Sequence, residues 1–278
     1  MSKLHKRNKA IIQVDCDRDW QDINISVSIL TKLLTIFESN KIHATWFVVG
    51  NDLDFLDYKH FFSSLIKKNH EIGNHTYSHK KKFHLLDNEE KKFEVLQCDK
   101  RIRELGYSPI GFRAPYFATD KSSHLLLKEL GYRYDSSLFP SPYLKFFNLI
   151  KKFLNKDYKT KSCSYHRDNS VNYSDVLEEI PVSVFPILRF PIHASYAMVL
   201  PERLAYKYTE LIINYFRNSR APLVYVFHLN DLCPSQYFNS REFKCFMPYE
   251  KRIDFIKWVC YRLQENFDII LTCDYAKN

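Results

Sequence analysis

Glycine is scarce in this chain, five in 278 residues, and proline is modest at eleven. A collagen-like or low-complexity chain is therefore excluded. No self-similarity recurs at solenoid or propeller periods, which excludes a repeat array. The seven cysteines (Cys16, Cys98, Cys163, Cys233, Cys245, Cys260 and Cys273) are odd in number, widely spread and contain no CxxC pair. That spacing argues against a structural zinc site and fits reduced thiols in a cytoplasm. Long apolar runs are missing too, and no window approaches the length of a membrane span. The basic start MSKLHKRNK leads into only a four-residue run, Ile11 to Val14, too short for a signal-peptide core. The expected location is cytoplasmic.

What the chain does have is aromatic and basic residues. It is 45% hydrophobic and 16% aromatic, with a formal net charge of +9. That composition supports one large α/β domain over residues 1–278. A basic surface suits an anionic partner such as nucleic acid or a membrane. The lysines are scattered, however, and no stretch matches a nucleic-acid-binding module, so no nucleic-acid partner is expected.

Strand and helix patterns alternate. Strands are expected at 10–14, 43–49, 71–74, 110–113, 132–135, 177–182, 184–192, 223–229 and 267–272. Helices are expected at 25–37, 61–68, 89–105, 122–130, 201–216 and 252–265. Alternation of this kind implies a mostly parallel sheet covered by helices. A closed or nearly closed β/α barrel fits best, with an open doubly wound sheet second. In such barrels the chemistry sits at the C-terminal strand ends. Residues 141–175 break the rhythm and read as a basic insertion. Its stripe of Leu144, Phe147, Ile150 and Leu154 either packs on the barrel or at a dimer contact, or lies on an anionic membrane with its lysines toward headgroups.

Four clusters fall where strand patterns end. Asp15, Asp17 and Asp19 crowd carboxylates that repel one another unless a cation lies between them. His75 and His79 stand four apart, so on a helical turn they share a face and can bind one metal. Arg113, before Ala114-Pro115-Tyr116, can lock a carboxylate with a bidentate hydrogen bond. His228 leaves an apolar strand with Asp231 nearby and can donate a proton. Each cluster alone has an ordinary explanation: a solvated turn, an accidental HxxxH, a structural ion pair, a locally satisfied histidine. His70 and His84 read as surface residues.

Together, in this order, the clusters resemble the polysaccharide deacetylase family, also called NodB-homology or carbohydrate esterase family 4. The resemblance runs from Asp15 to about Asp231. HEIGNHTYSH (70–79) is its most specific piece, with GFRAPYF (111–117), HATWFVVG (43–50) and YDSSLFP (134–140) in support. It implies a distorted (β/α) barrel and one divalent metal, usually zinc. It implies an N-acyl hydrolase of amino sugars, N-acetyl before other acyl groups, acting on a nucleotide-linked, lipid-linked or oligosaccharide substrate. Asp15-Cys16-Asp17 resembles the DxD variant of the family's acidic pair. Asp15 then corresponds to the general base and Asp17 to a metal ligand, with Asp19 a second candidate for that ligand. His75 and His79 correspond to the imidazole ligands, Arg113 to the residue that orients Asp15, the Tyr116 N–H to an oxyanion donor and His228 to the general acid. Trp20, Pro115, Asp135 and Asp231 are expected at the substrate. The usual glycine and proline after the acidic pair are absent, as is a tryptophan near Asp135. These departures weaken the case for a long polymeric substrate. The rival readings are a deformylase or an allantoinase-like amidase on the same metal site, and a glycan-binding protein that has lost catalysis.

Overall fold

A computed structural model describes residues 7–18, 22–141, 176–186, 189–234, 237 and 247–276. The basic stripe of the expected insertion, with Asp19 and Trp20, lies outside them.

The sheet is parallel throughout. Its strands are β1 (Lys9–Asp15), β2 (Thr45–Val48), β3 (Glu71–Asn74), β4 (Gly111–Phe112), β5 (Tyr134–Asp135), β6 (Glu178–Glu179), β7 (Leu223–His228) and β8 (Asp268–Ile270). Their order is β6-β5-β4-β3-β2-β1-β7, with β8 paired to the N-terminal half of β1. This is a distorted (β/α) barrel. The gap between β6 and β7 is crossed by irregular chain rather than a ladder: Val182 N donates to Leu138 O at 2.9 Å and Ser183 N to Val224 O at 3.3 Å. The continuous strand expected at 184–192 is therefore absent; Val184 and Pro191 form only an isolated antiparallel bridge.

Among the described residues most strands are followed by helix. The described helices are α1 (Ile23–Ser39), α2 (Leu56–Lys67), α3 (Asn88–Arg103), α4 (Lys121–Glu129), α5 (Ala194–Ala197), α6 (Glu202–Arg217), α7 (Tyr249–Asn266) and α8 (Thr272–Tyr275). Several of their starts follow local capping chemistry. Asp22 accepts from Asn24 N and Ile25 N ahead of α1, and Asp87 with Glu90 forms a capping box ahead of α3. Gly106 and Gly131 take φ of 81° and 84° after α3 and α4, the left-handed turn a side chain disfavours. No described helix is long and apolar enough to cross a membrane.

The two-residue period of a strand decides what faces where. In β1, Ala10, Ile12 and Val14 join the large outer core beneath the helices, whereas Ile11 joins the inner cluster with Phe47, Tyr134 and Val224. In β7, Leu223, Tyr225 and Phe227 likewise face the helices and Val224 faces inward. Continuing the inner parity to the strand ends brings out Gln13 and Asp15, then His75, Arg113 and His228. Lower in the barrel, Glu71 accepts hydrogen bonds from the Tyr134 and Thr45 hydroxyls, both at 2.7 Å. Burial still pushes its carboxyl above the ordinary range.

Candidate active site

The register of β1 on β7 sets Asp15 opposite His228. His228 Nε2 lies 3.4 Å from Asp15 Oδ2. From the other side, Arg113 Nη1 donates to Asp15 Oδ1 at 2.7 Å. The rest of the guanidinium is also anchored: Nε donates to Ser136 O at 2.8 Å, and Nη2 to Ser136 Oγ at 2.9 Å and to Gln13 Oε1. Asp15 and Arg113 are both sealed from solvent, at 2% and 0% exposure. Burial pushes the Asp15 carboxyl up, but Arg113, His228 and His75 together outweigh it. They hold the group well below the usual carboxylate range.

Asp17, His75 and His79 each offer one ligand atom within 4.8 Å of the others. The His79 Nε2 to Asp17 Oδ2 distance is 4.0 Å, and the two imidazole rings stand 4.9 Å apart. The pair does not ride on a helical turn, as the four-residue spacing implied. Irregular chain brings the rings together, with Thr76 at φ 65° and His79 at φ 55°. The turn is held by side chains: Thr76 N donates to Asn74 Oδ1 at 2.8 Å, His79 N to Thr76 Oγ1 at 3.2 Å and Ser78 N to Glu94 Oε2 at 2.8 Å.

These three residues fit a divalent cation on two grounds. His75 Nδ1 pairs with Arg113 O at 2.8 Å, so that nitrogen carries the proton and Nε2 keeps its lone pair. Burial also lowers His75 to about 4 and His79 well below its ordinary value, so both rings are neutral donors near pH 7.

Pro115 starts a 3-10 turn in which Tyr116 takes φ 56° and Phe117 φ 57°. Left-handed backbone at non-glycine residues costs energy and clusters at functional sites. Here it falls beside the imidazoles, with the Tyr116 ring 5.2 Å from that of His79.

Two expected substrate residues point elsewhere. Asp135 follows inward-facing Tyr134 and so takes the outer parity. It is fully buried, its Oδ2 2.8 Å from His124 Nε2 and its Oδ1 accepting from Ser137. With Glu179 Oε2 3.5 Å from the same His124 nitrogen, it forms a polar network that ties α4 to β5 and β6. The network reaches the site indirectly, because Ser137 Oγ also accepts from Ala114 N at 2.7 Å. Asp231 is buried beneath His228, accepting from its backbone N–H at 2.8 Å and from the Ser195 hydroxyl. His70 and His84 are buried, not on the surface; His70 Nδ1 accepts from Ala44 N at 3.0 Å.

Sequence reasoning missed Gln13, Ser136 and His193. The first two are visible only once inner parity is known. His193 stands just past the apolar run ending at Ile192, and the strand-end rule that picked out His228 would have flagged it. Its ring lies 4.2 Å from that of His228.

The polysaccharide deacetylase family profile matches residues 17–134. Over those residues the chain is similar to that family. It is 24% identical over 156 residues to a peptidoglycan deacetylase from Helicobacter pylori, covering 55% of this chain and 52% of that one. It is 28% identical over 110 residues to a peptidoglycan-N-acetylglucosamine deacetylase from Bacillus cereus, covering 39% and 37%. The chain thus spans about half the length of these relatives or less. Among solved structures, a peptidoglycan deacetylase from Bacillus subtilis superposes with a TM-score of 0.53 at 12% identity, covering 98% of this chain and 92% of that one. A family 4 carbohydrate esterase from Streptomyces lividans, solved in complex with acetate, gives 0.52 at 11%, covering 93% and 88%. At such identities these neighbours attest the fold alone.

Proposed function

We propose that this chain is a deacetylase of that family, that it hydrolyses the N-acetyl group of an amino sugar, and that it depends on a divalent metal, zinc by its donor set. One observation carries the reading. An ionised carboxylate clamped by a buried arginine, Asp15, sits two residues from a carboxylate that shares a ligand cluster with two neutral imidazoles. One carboxylate and two histidines form a common catalytic zinc set, leaving a position open for water.

A bound ion would lower the pKa of water toward about 7 and polarise the amide carbonyl. Asp15 is the proton acceptor. Its depressed proton affinity makes it a transient holder rather than a strong base, and His228 at 3.4 Å is within reach to exchange that proton. His228 delivers a proton to the departing amine. Arg113 keeps Asp15 ionised and fixes which oxygen faces His228. The Tyr116 N–H is the donor to the developing oxyanion, a contact whose loss typically costs about a hundredfold or more in rate.

The substrate is an N-acetylated amino sugar carried on an oligosaccharide, a lipid or a nucleotide. The peptidoglycan deacetylases among its relatives support the sugar amide. The free thiols of Cys16, Cys98, Cys233, Cys260 and Cys273 support a reducing compartment. The test is release of acetate from N-acetylglucosamine oligomers and from nucleotide- and lipid-linked N-acetylhexosamine by zinc-loaded protein. Acetate is expected from one of the three and not from the Asp15→Asn variant. Formate release from an N-formyl analogue with no acetate from any substrate would replace the reading with a deformylase.

A further inference from the structure

His228 lacks what usually orients a proton-transferring histidine. Such a ring is commonly held by a hydrogen bond from its second nitrogen to a carboxylate or carbonyl. Here Nε2 faces Asp15, and Nδ1 is buried with no carboxylate or carbonyl partner among the described residues; only the Asp231 backbone N–H of the capping turn approaches the ring. Asp231, the nearby carboxylate, holds the His228 backbone N–H instead.

The face of the ring is occupied by His193, with centroids 4.2 Å apart and planes inclined by 40°. His193 is itself fixed. Its backbone bridges Val226 of β7, and its Nδ1 accepts from Ser195 N at 3.1 Å at the start of α5. The Ser195 hydroxyl donates to Asp231, which closes a loop back to His228. Because Nδ1 is an acceptor, the neutral ring carries its proton on Nε2. Burial and the neighbouring His228 keep His193 well below its ordinary pKa, so it places no positive charge against His228.

We infer that His193 is a positioning residue for His228, its ring contact standing in for the carboxylate or carbonyl partner that Nδ1 lacks. This rests on the proton-donor role of His228 proposed above. The groups that face or electrostatically couple to His228 are Asp15 on β1, His75 and His79 after β3, Arg113 after β4, Asp231 after β7 and His193. All but His193 and Asp231 belong to the ligand and base cluster, and the Asp231 side chain bonds the backbone N–H of His228. Removing His193 therefore changes the orientation of that ring without touching the machinery around it.

His193 also caps α5, and the test must separate the two roles. Asn supplies a cap acceptor equivalent to Nδ1 but no ring. Phe supplies a ring but no acceptor. His193→Asn should melt within a degree or two of wild type, yet lose on the order of tenfold in kcat with KM little changed, as misaligned catalytic groups do. Its basic limb in the kcat–pH profile should shift. His193→Phe should recover most of kcat. Nitrogen-15 imidazole NMR of selectively labelled protein gives a readout free of turnover. His228 should hold one dominant tautomer and one apparent pKa in wild type and in His193→Phe, and average tautomers with a shifted pKa in His193→Asn. An unchanged His228 tautomer and pKa in His193→Asn would overturn the inference. Wild-type protein inactive on every sugar offered, with the NMR difference intact, would count against the proposed reaction and leave this inference standing.

Discussion

Arg113 and Asp15 lie 98 residues apart in sequence and meet through a 2.7 Å hydrogen bond in a pocket closed to solvent. The contact is built from two strand ends. Asp15 closes β1 and Arg113 follows β4, each on the inward parity. All three guanidinium nitrogens are used, on Asp15, Gln13 and Ser136.

Because the pair is buried, breaking it leaves a stranded charge. Arg113→Ala should destabilise the fold by about 3–5 kcal/mol, the usual cost of removing one partner of a buried ion pair. Arg113→Lys keeps the charge but loses the planar fork, and should retain part of the stability while losing most activity. Asp15→Asn should lower turnover on the order of a hundredfold or more, as expected for loss of a general base. Denaturant unfolding and acetate release read the two effects separately.

The buried histidines should weaken the fold as pH falls below about 6.5, a trend that carboxyls raised by burial, Glu71 among them, oppose. Burial lowers His70 and His75 to about 4, and His79 and His193 well below their ordinary values. The unfolded chain protonates these residues below about pH 6.5, while the native rings stay neutral. The unfolded state then binds more protons, so stability falls as pH falls, by about 1.4 kcal/mol per unit for each such proton. Asp15 behaves differently. Its native pKa is depressed, so its contribution is full above the ordinary carboxylate range near 3.9 and is lost only below it. Urea unfolding of chelator-treated protein should show a steeper decline between about pH 6.5 and 5 in wild type than in His70→Phe, and equal slopes would contradict the burial of that ring.

Two motif glycines are space requirements. A Cβ on Gly73 would overlap the Phe47 ring, and one on Gly111 the Tyr134 ring. Neither glycine has positive φ, so conformational freedom is not the reason. Gly73→Ala and Gly111→Ala should each cost about 1–3 kcal/mol by overpacking. Gly106→Ala, with open space around its Cβ, should lose stability only through its left-handed backbone. Thermal melts of the three variants would rank these effects.

Much of this was legible in the sequence because parallel strands announce themselves as apolar runs and the chemistry falls at their ends. Asp15, His75, Arg113 and His228 were found that way. Parity was the hidden variable. Asp135 ends a strand as Asp15 does, yet it faces α4 and pairs with His124, because Tyr134 takes the inward position. Short strands of two residues, such as β4 to β6, carry too little pattern to fix that alternation. The turn that joins His75 and His79 was misread as helical because its left-handed residues, Thr76 and His79, carry no glycine signal. His193, one residue past the apolar run at 184–192, was open to the same strand-end rule, but no neighbouring acid or motif singled it out.

Zinc binding to purified protein tests the central claim most directly. Calorimetric titration of chelator-treated wild type should give one zinc per chain. Asp17→Ala, His75→Ala and His79→Ala should each weaken that binding by at least an order of magnitude, while Asp19→Ala should not. Zinc affinity unchanged in all three variants would contradict the site, as would loss of binding in Asp19→Ala alone.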